Sequence, residues 1–314
     1  VKSFPRLELD KLRTYSIHER ASKVSADLFG RAWDKGGSFS EFLDRLPGLL
    51  AAGDFRQVVD RLAAAVTSGR TVILAMGGHP VKVGLSPIII DLMRRGVISL
   101  LAVNGSVMVH DSEVALVGAT SEDVAASLSS GGFGMARETA EVVNRAASEA
   151  ARQGIGLGRA LGLELAGRKA PNRALSLFAA GVEHDVPVTV HLALGTDIVH
   201  IHPAADGAHL GQASFEDFRL FCRAVAGLEG GAFINLGSAV IMPEVFLKAV
   251  SLARNLGHSL EGLTTVNMDF VRQYRPRVNV VERPTAGSGK GFDLVGHHEI
   301  MFPLLAAALI ERLG

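Results

Sequence analysis

The chain has 314 residues, 48% of them hydrophobic and only 20% charged, with Lys+Arg and Asp+Glu balanced at 32 each. That length allows one large or two small domains, and so little charge suits an extensively buried α/β chain that also buries surface against copies of itself. Zero net charge without a Lys/Arg cluster argues against nucleic-acid binding, and the longest apolar run, "IMFPLLAAALI", is too short to span a bilayer and contains Pro303.

The opening stretch "VKSFPRLELDKLRTYSIHER" is charged and lacks an apolar core, so it does not read as a signal peptide. Residues 1–40 are polar and weakly patterned, as expected of an N-terminal arm that wraps the domain or a neighbouring subunit. From 41 to 314 the pattern is that of one α/β domain. Apolar segments of helical period end in Gly and are followed by short apolar runs. The runs predict strands at 71–76, 98–103, 186–192, 231–236, 263–269 and 277–281, the last being "RVNVV". Helices are predicted over 83–95, 111–117, 136–153, 173–184, 214–228, 243–257 and 298–312, with a helical insertion near 120–180. Short continuous apolar strands alternating with helices imply a doubly wound, mostly parallel sheet covered on both faces. Cys222, the one cysteine, lies in the helical pattern "FEDFRLFCRAV"; it allows no disulfide within the chain, fits a reducing cytoplasm and reads as a small core hydrophobe.

Ligands of such sheets sit outside the carboxyl ends of the strands, so the loops there carry the functional candidates. Four are rich in Gly and polar residues, as dinucleotide contact from several directions needs: "GGHPVKVGLSP" with Gly77 and Gly78, "NGSVMVHDSE" with Asn104, Gly105 and Ser106, "ALGTDIVHIHPAADGAHLG", and "ERPTAGSGKGF". The last is no Walker A motif, because Pro284 and Gly291 stand where that motif needs Gly and Ser/Thr. "GIGLGRALG" has no strand before it and does not read as a dinucleotide fingerprint. His200 and His202 are two apart in a strand-like run, hence on one face, with His191, Asp197, Asp206 and His209 close in sequence. They offer ligands for Zn²⁺ or another divalent ion in a hydrolase, or simply hydrogen-bond the backbone. Lys290 lies among Gly287, Gly289 and Gly291, which would let the backbone carry it close to a ligand. Enclosed and desolvated, its amine would be a nucleophile toward carbonyls or iminium ions; otherwise it is an ordinary lysine on a surface loop.

Taken together these loops resemble the deoxyhypusine synthase family over most of the chain. The end resembles it most, with Arg283-Pro284, then Gly289-Lys290, then "FPLLAAAL" from Phe302. "VPVTVHLALGTDIV" resembles the family's strand leading to a polyamine-holding aspartate, here Asp197; "VNGSVMVHD" resembles its Gly-rich cofactor loop, and "INLGSAVI", with Gly237 and Ser238, a Gly-rich turn before a helix. The resemblance implies a Rossmann-like sheet, NAD at the strand ends and a cytoplasmic homotetramer with sites at subunit interfaces. It also implies transfer of an aminoalkyl group from a spermidine-like polyamine to an acceptor amine through a lysine imine. On that reading Lys290 is the nucleophile, Asp197, Glu244 and His297 hold the amine, and His110 or Asp111 shuttles the proton. The chain departs from the pattern where His110 aligns with a glutamate, Pro243-Glu244 with a His-His pair, Ser288 with a tryptophan and His297 with an aspartate. These departures leave two other readings: an NAD-binding protein of the same fold without transferase activity, and the metal-dependent hydrolase built on His200 and His202.

Overall fold

A computed structural model describes residues 3–168 and 170–314, which fall into two compact units meeting in sequence at Gly53 and Asp54. The first unit is largely irregular, with a 3-10 turn at Ala26–Leu28 and helix α1 (Phe39–Arg45). A capping box starts α1: the Ser38 hydroxyl accepts from the Glu41 N–H at 3.2 Å, and the Glu41 carboxylate accepts from the Ser38 N–H at 2.7 Å. Phe42 packs edge-on against Trp33, ring centroids 5.8 Å apart.

In the second unit β1 (Val72–Met76), β2 (Leu100–Asn104), β3 (Val188–His191), β4 (Ala232–Leu236), β5 (Thr264–Asp269) and β6 (Lys290–Val295) form one wholly parallel sheet in the order β3-β2-β1-β4-β5-β6. Every residue of β1, β4 and β5 is buried, because helices cover both faces. The helices are α2 (Leu50–Thr67), α3 (His79–Lys82), α4 (Ser86–Arg94), α5 (Gly105–Val117), α6 (Val124–Leu128), α7 (Arg137–Gln153), α8 (Leu157–Gly167), α9 (Leu177–Glu183), α10 (Gly207–Ala226), α11 (Ile241–Asn255), α12 (Tyr274–Pro276) and α13 (His298–Leu313). Helices α5 to α9 all lie between β2 and β3. Among the described residues no helix is long and apolar enough to cross a membrane.

Alternation along the strands divides the core into two layers. Ile73, Ala75 and Phe233 face Phe221 of α10 and Phe246 of α11, and the Phe233 and Phe246 rings stack with centroids 3.6 Å apart. Val72, Leu74 and Ile234 face Leu62 of α2, Leu92 of α4, and Phe302, Leu305 and Leu309 of α13. Each such side chain contributes about 1.5–3 kcal/mol on burial, so this double layer holds the strand ends in place.

Two elements differ from expectation. "RVNVV" is not a strand but a wide helical turn over Arg277–Glu282, and the sixth strand is "KGFDLV". Because β5 and β6 run parallel, the chain must return to the other end of the sheet between them, and 277–282 is part of that crossover. Its β-branched residues instead bury Val278 and Val280 against the sheet. The loop expected after β2 is the start of α5, whose N-cap is Asn104, its side chain accepting from the Val107 N–H at 3.4 Å. His110 and Asp111 therefore sit on a helix.

Candidate functional site

Strands β1 and β4 are neighbours, but the chain leaves β1 toward β2 and β4 toward β5. The crevice between their carboxyl ends is the switch point of the sheet, the place where such folds take ligands. Gly77 and Gly237 form its floor. A Cβ on Gly77 would lie 2.6 Å from the Gly237 carbonyl oxygen, and Gly237 itself has a left-handed φ of +65° with its Cα against the His298 ring. Side chains behind the crevice hold this turn. Asn235 Nδ2 donates to the Ser238 carbonyl at 2.9 Å and to Asn267 Oδ1 at 2.8 Å, Asn267 Nδ2 donates to Asp293 Oδ1 at 2.8 Å, and Ser238 Oγ accepts from the Met242 N–H at 3.1 Å.

On the β2 side the first turn of α5 presents its free N–H groups and the positive end of its dipole. Ser106, His110 and Glu113 are four and three residues apart, so they share one face of α5. That face reaches the β1 turn: a Cβ on Gly78 would lie 2.6 Å from Ser106 Oγ and 3.0 Å from His110 Cδ2. From the β3–α10 loop Asp197 folds over Gly105, where any Cβ would collide with its carboxylate. Burial raises the pKa of Asp197, with His200, Thr196 and His110 acting the other way; no lysine or arginine is among the groups that shift it. His110 Nδ1 lies 2.7 Å from Thr120 Oγ1, the Thr120 hydroxyl donates to Glu113 Oε2 at 2.5 Å, and Thr139 Oγ1 approaches Glu113 Oε1 at 3.4 Å. Burial pushes the Glu113 carboxyl up, but the His110 ring, its Nδ1 3.9 Å away, and hydrogen bonds from Thr120 and the Ser121 N–H outweigh it and hold the group below the usual range. Glu113, Thr120 and Thr139 line a cleft of about 550 Å³ with Ser121, Glu122 and Arg168.

The structure thus gathers Gly77, Gly78, Asn104, Gly105, Ser106, His110, Asp197, Gly237 and Ser238 around one crevice. His297 caps α13 nearby, exposed and stacked on Phe270 at 6.1 Å. His79 joins this group although the sequence did not single it out, and so does His298, at the start of α13. Their rings meet edge-on at 5.1 Å, His298 is 1% exposed, and burial is the first cause that lowers its pKa. The position of His79, directly after the Gly-Gly turn of β1, is the one signal that could have found it. Thr120 and Glu113 carried no motif; only the fold brings Thr120 back onto α5.

Other expected residues lie elsewhere. Asp111 points away from Ser106 and His110 and ties down α9: fully buried, it accepts from Ser176 Oγ at 2.5 Å and the Leu177 N–H at 2.7 Å. Burial raises its pKa to about 6, against those hydrogen bonds. Glu244 belongs to an ion network with Lys248 and Arg275, and accepts from Asn279 Nδ2 at 2.9 Å. His200 and His202 do not share a strand face, because 198–201 is a 3-10 turn. His200 Nδ1 accepts from the Gly195 and Asp197 N–H groups at 3.2 and 3.3 Å, and His202 Nδ1 from the Ala204 N–H at 3.2 Å. Among the described residues no three His, Cys, Asp or Glu side chains are grouped as a metal site would need.

Lys290 is the largest displacement. It is the first residue of β6, paired with Thr264 at the start of β5, and its N–H donates to the Leu263 carbonyl at 2.9 Å. Five strand rises of ~3.3 Å put it roughly 17 Å from the carboxyl ends where the crevice lies. Gly289 and Gly291 serve packing rather than ligand approach, since a Cβ on either would strike the Leu263 or Val281 carbonyl. The loop before Lys290 is therefore not one of those following a strand, as the "RVNVV" assignment had implied.

No family model matches the chain, and neither does any curated protein. Solved structures share its fold. A candidate deoxyhypusine synthase from Entamoeba histolytica superposes with a TM-score of 0.52 at 12% identity, covering 90% of this chain and 96% of its own. ArgZ, an arginine dihydrolase from the ornithine–ammonia cycle in cyanobacteria, has a TM-score of 0.51 at 14% identity, covering 85% of this chain and 34% of its own. AgrE in a ternary complex with ornithine and NAD⁺ has a TM-score of 0.51 at 16% identity, with 82% and 32% covered. The chain spans about a third of the length of ArgZ and AgrE. At these identities the likeness is one of fold.

Proposed function

We propose that the chain is an NAD-dependent enzyme that oxidises an amine bound at Asp197, with His110 as the proton acceptor. The observation that carries this is Asp197, a largely buried carboxylate with no lysine or arginine among its perturbing groups, set on the first turn of α5 beside His110. A carboxylate in that position is completed by an ammonium or a protonated secondary amine, which returns a charge-assisted hydrogen bond.

Two observations support a dinucleotide in the crevice. Gly77 and Gly237 bring backbone to its floor where no side chain could pass. A deoxyhypusine synthase-like protein shares the fold, and AgrE has been seen with NAD⁺ bound. NAD, when bound, supplies the hydride acceptor. The chain's own residues do the rest: Asp197 anchors and orients the amine, Ser106 and the Gly78 turn shape the space beside it, and the edge of His110 facing Gly78 takes the proton as the C–N bond gains double-bond character. Attack of a second amine on the resulting imine, departure of the first amine from the aminal so formed and return of the hydride from the reduced cofactor would give aminoalkyl transfer without an enzyme lysine.

The test is to mix purified protein with NAD and, separately, putrescine, spermidine, ornithine or no amine, following absorbance of reduced cofactor and product mass. Amine-dependent reduction is expected. A rise in melting temperature with NAD but no reduction by any amine would favour a cofactor-binding protein without this chemistry.

A further inference from the structure

We propose that Thr120 and Glu113 form a relay that fixes the tautomer of His110 and carries its proton into the cleft lined by Thr120, Glu113 and Thr139. The proposal rests on the proton-accepting role given to His110, but its first test does not.

The relay follows from hydrogen counting. Glu113 is an acceptor: burial pushes its carboxyl up, but the hydrogen bond from Thr120 and the nearby His110 ring, its Nδ1 3.9 Å away, hold it below the usual carboxylate range. Thr120 has one hydroxyl hydrogen, and at 2.5 Å it goes to Glu113 Oε2. What Thr120 offers His110 Nδ1, 2.7 Å away, is a lone pair. Nδ1 must then carry the imidazole hydrogen, which leaves Nε2 bare, bonded to the Cδ2 atom that lies against Gly78. Three residues that share no sequence motif thus place a basic nitrogen at the crevice.

The same chain conducts a proton outward. When Nε2 gains a proton, the Nδ1 proton passes to Thr120 Oγ1 as the Thr120 hydroxyl proton passes to Glu113 Oε2. The imidazole is again neutral but now carries its hydrogen on Nε2, and threonine is regenerated with its hydrogen toward Nδ1. Glu113, a short-lived acid at the wall of the cleft, gives its proton to water. Exchange with water then returns the ring to the Nδ1–H form before the next turnover. The charged groups around that wall are otherwise engaged: Glu138 pairs with Arg137 at 2.7 Å, Arg168 with Glu164 at 2.7 Å, and Glu122 accepts from the Gly134 N–H at 2.9 Å. Asp197, on the crevice side, is the remaining acid that acts on His110.

The experiment is ¹⁵N NMR of the histidine-labelled full chain, with the His110 ring signals assigned by loss in His110→Gln. Wild type should show the Nδ1–H tautomer, Thr120→Ser should keep it, and Thr120→Val should lose it while melting cooperatively. A wild-type Nε2–H form, or an unchanged tautomer in Thr120→Val, overturns the relay whatever the enzyme does. Glu113→Gln separates orientation from conduction: its amide oxygen still accepts from Thr120, so the tautomer stays, but it cannot take the proton. In amine-dependent NAD reduction its kcat should fall about 10–100-fold with little change in KM. An unchanged kcat there overturns the conducting role. Absence of reduction in wild type, with the tautomers as expected, would count against the proposed reaction and not against the fixed imidazole.

Discussion

Asp217 and Asp197 are both acids whose pKa burial raises, yet they differ in what surrounds them. Asp217 lies inside the fold, its Oδ2 accepting from the Gly158 and Val190 N–H groups at 2.9 and 2.8 Å, and its pKa is pushed up to about 7. The folded chain therefore holds a proton there that the unfolded chain, near 3.8, has released, so stability falls as pH rises from about 4 to 7. Asp217→Asn keeps the accepting oxygen and removes the charge. It should be more stable than wild type by about 1 kcal/mol at pH 8, with the advantage shrinking at pH 4–5, as urea unfolding at the two pH values would show. Asp197 opens instead onto the crevice. Hydrogen bonds to a charged group contribute about 1.5–3 kcal/mol, so Asp197→Asn should raise the KM for an amine roughly 10–100-fold while NAD affinity is kept. His110→Gln should lower kcat about 10²–10⁴-fold, read in the same assay.

Among the elements, α5 does the most to build the site, and Gly105 shows how local preference and function oppose each other. Alanine in place of glycine ordinarily stabilises a helix by about 0.5–1 kcal/mol. Here its methyl would occupy the place of the Asp197 carboxylate. Gly105→Ala should therefore leave the melting temperature level or slightly raised and weaken amine binding about as much as Asp197→Asn; a variant with unchanged KM would mean that Asp197 does not hold the amine. The crossover between β5 and β6 teaches the reverse lesson. Arg277–Glu282 has the composition of a strand and forms a helical turn, whereas β6 has a glycine as its second residue yet pairs along its full length with β5. Parallel pairing demands a crossover, and that demand outweighs β propensity.

At the scale of the molecule, the two edges of the sheet separate residues that lie close in sequence. Lys290 is at the amino-terminal edge and His297 and His298, a few residues on, are at the carboxyl edge, because β6 runs between them. Lys290→Ala should leave amine-dependent NAD reduction unchanged, and borohydride treatment in the presence of NAD and amine should add no mass at that position. An adduct on Lys290 would mean that a lysine imine forms after all and that the crevice of one chain is not the whole site. The sequence by itself determined the α/β class, five of the six strands and most of the loops that converge at the switch point, because buried parallel strands are continuous apolar runs and their carboxyl-terminal turns need glycine and caps. It also placed His110 and Asp197 in segments that follow strands, although His110 lies on α5 and not in a loop. Only the tertiary structure decided that Asp111 ties down α9, that Glu244 is spent on an ion network, that Thr120 and Glu113 stand behind His110, and that Lys290 lies across the sheet. The physical reason is common to all four: which way a side chain points, and at which end of a strand it falls, depends on helix phase and strand direction, and those are set by packing against segments far away in the chain.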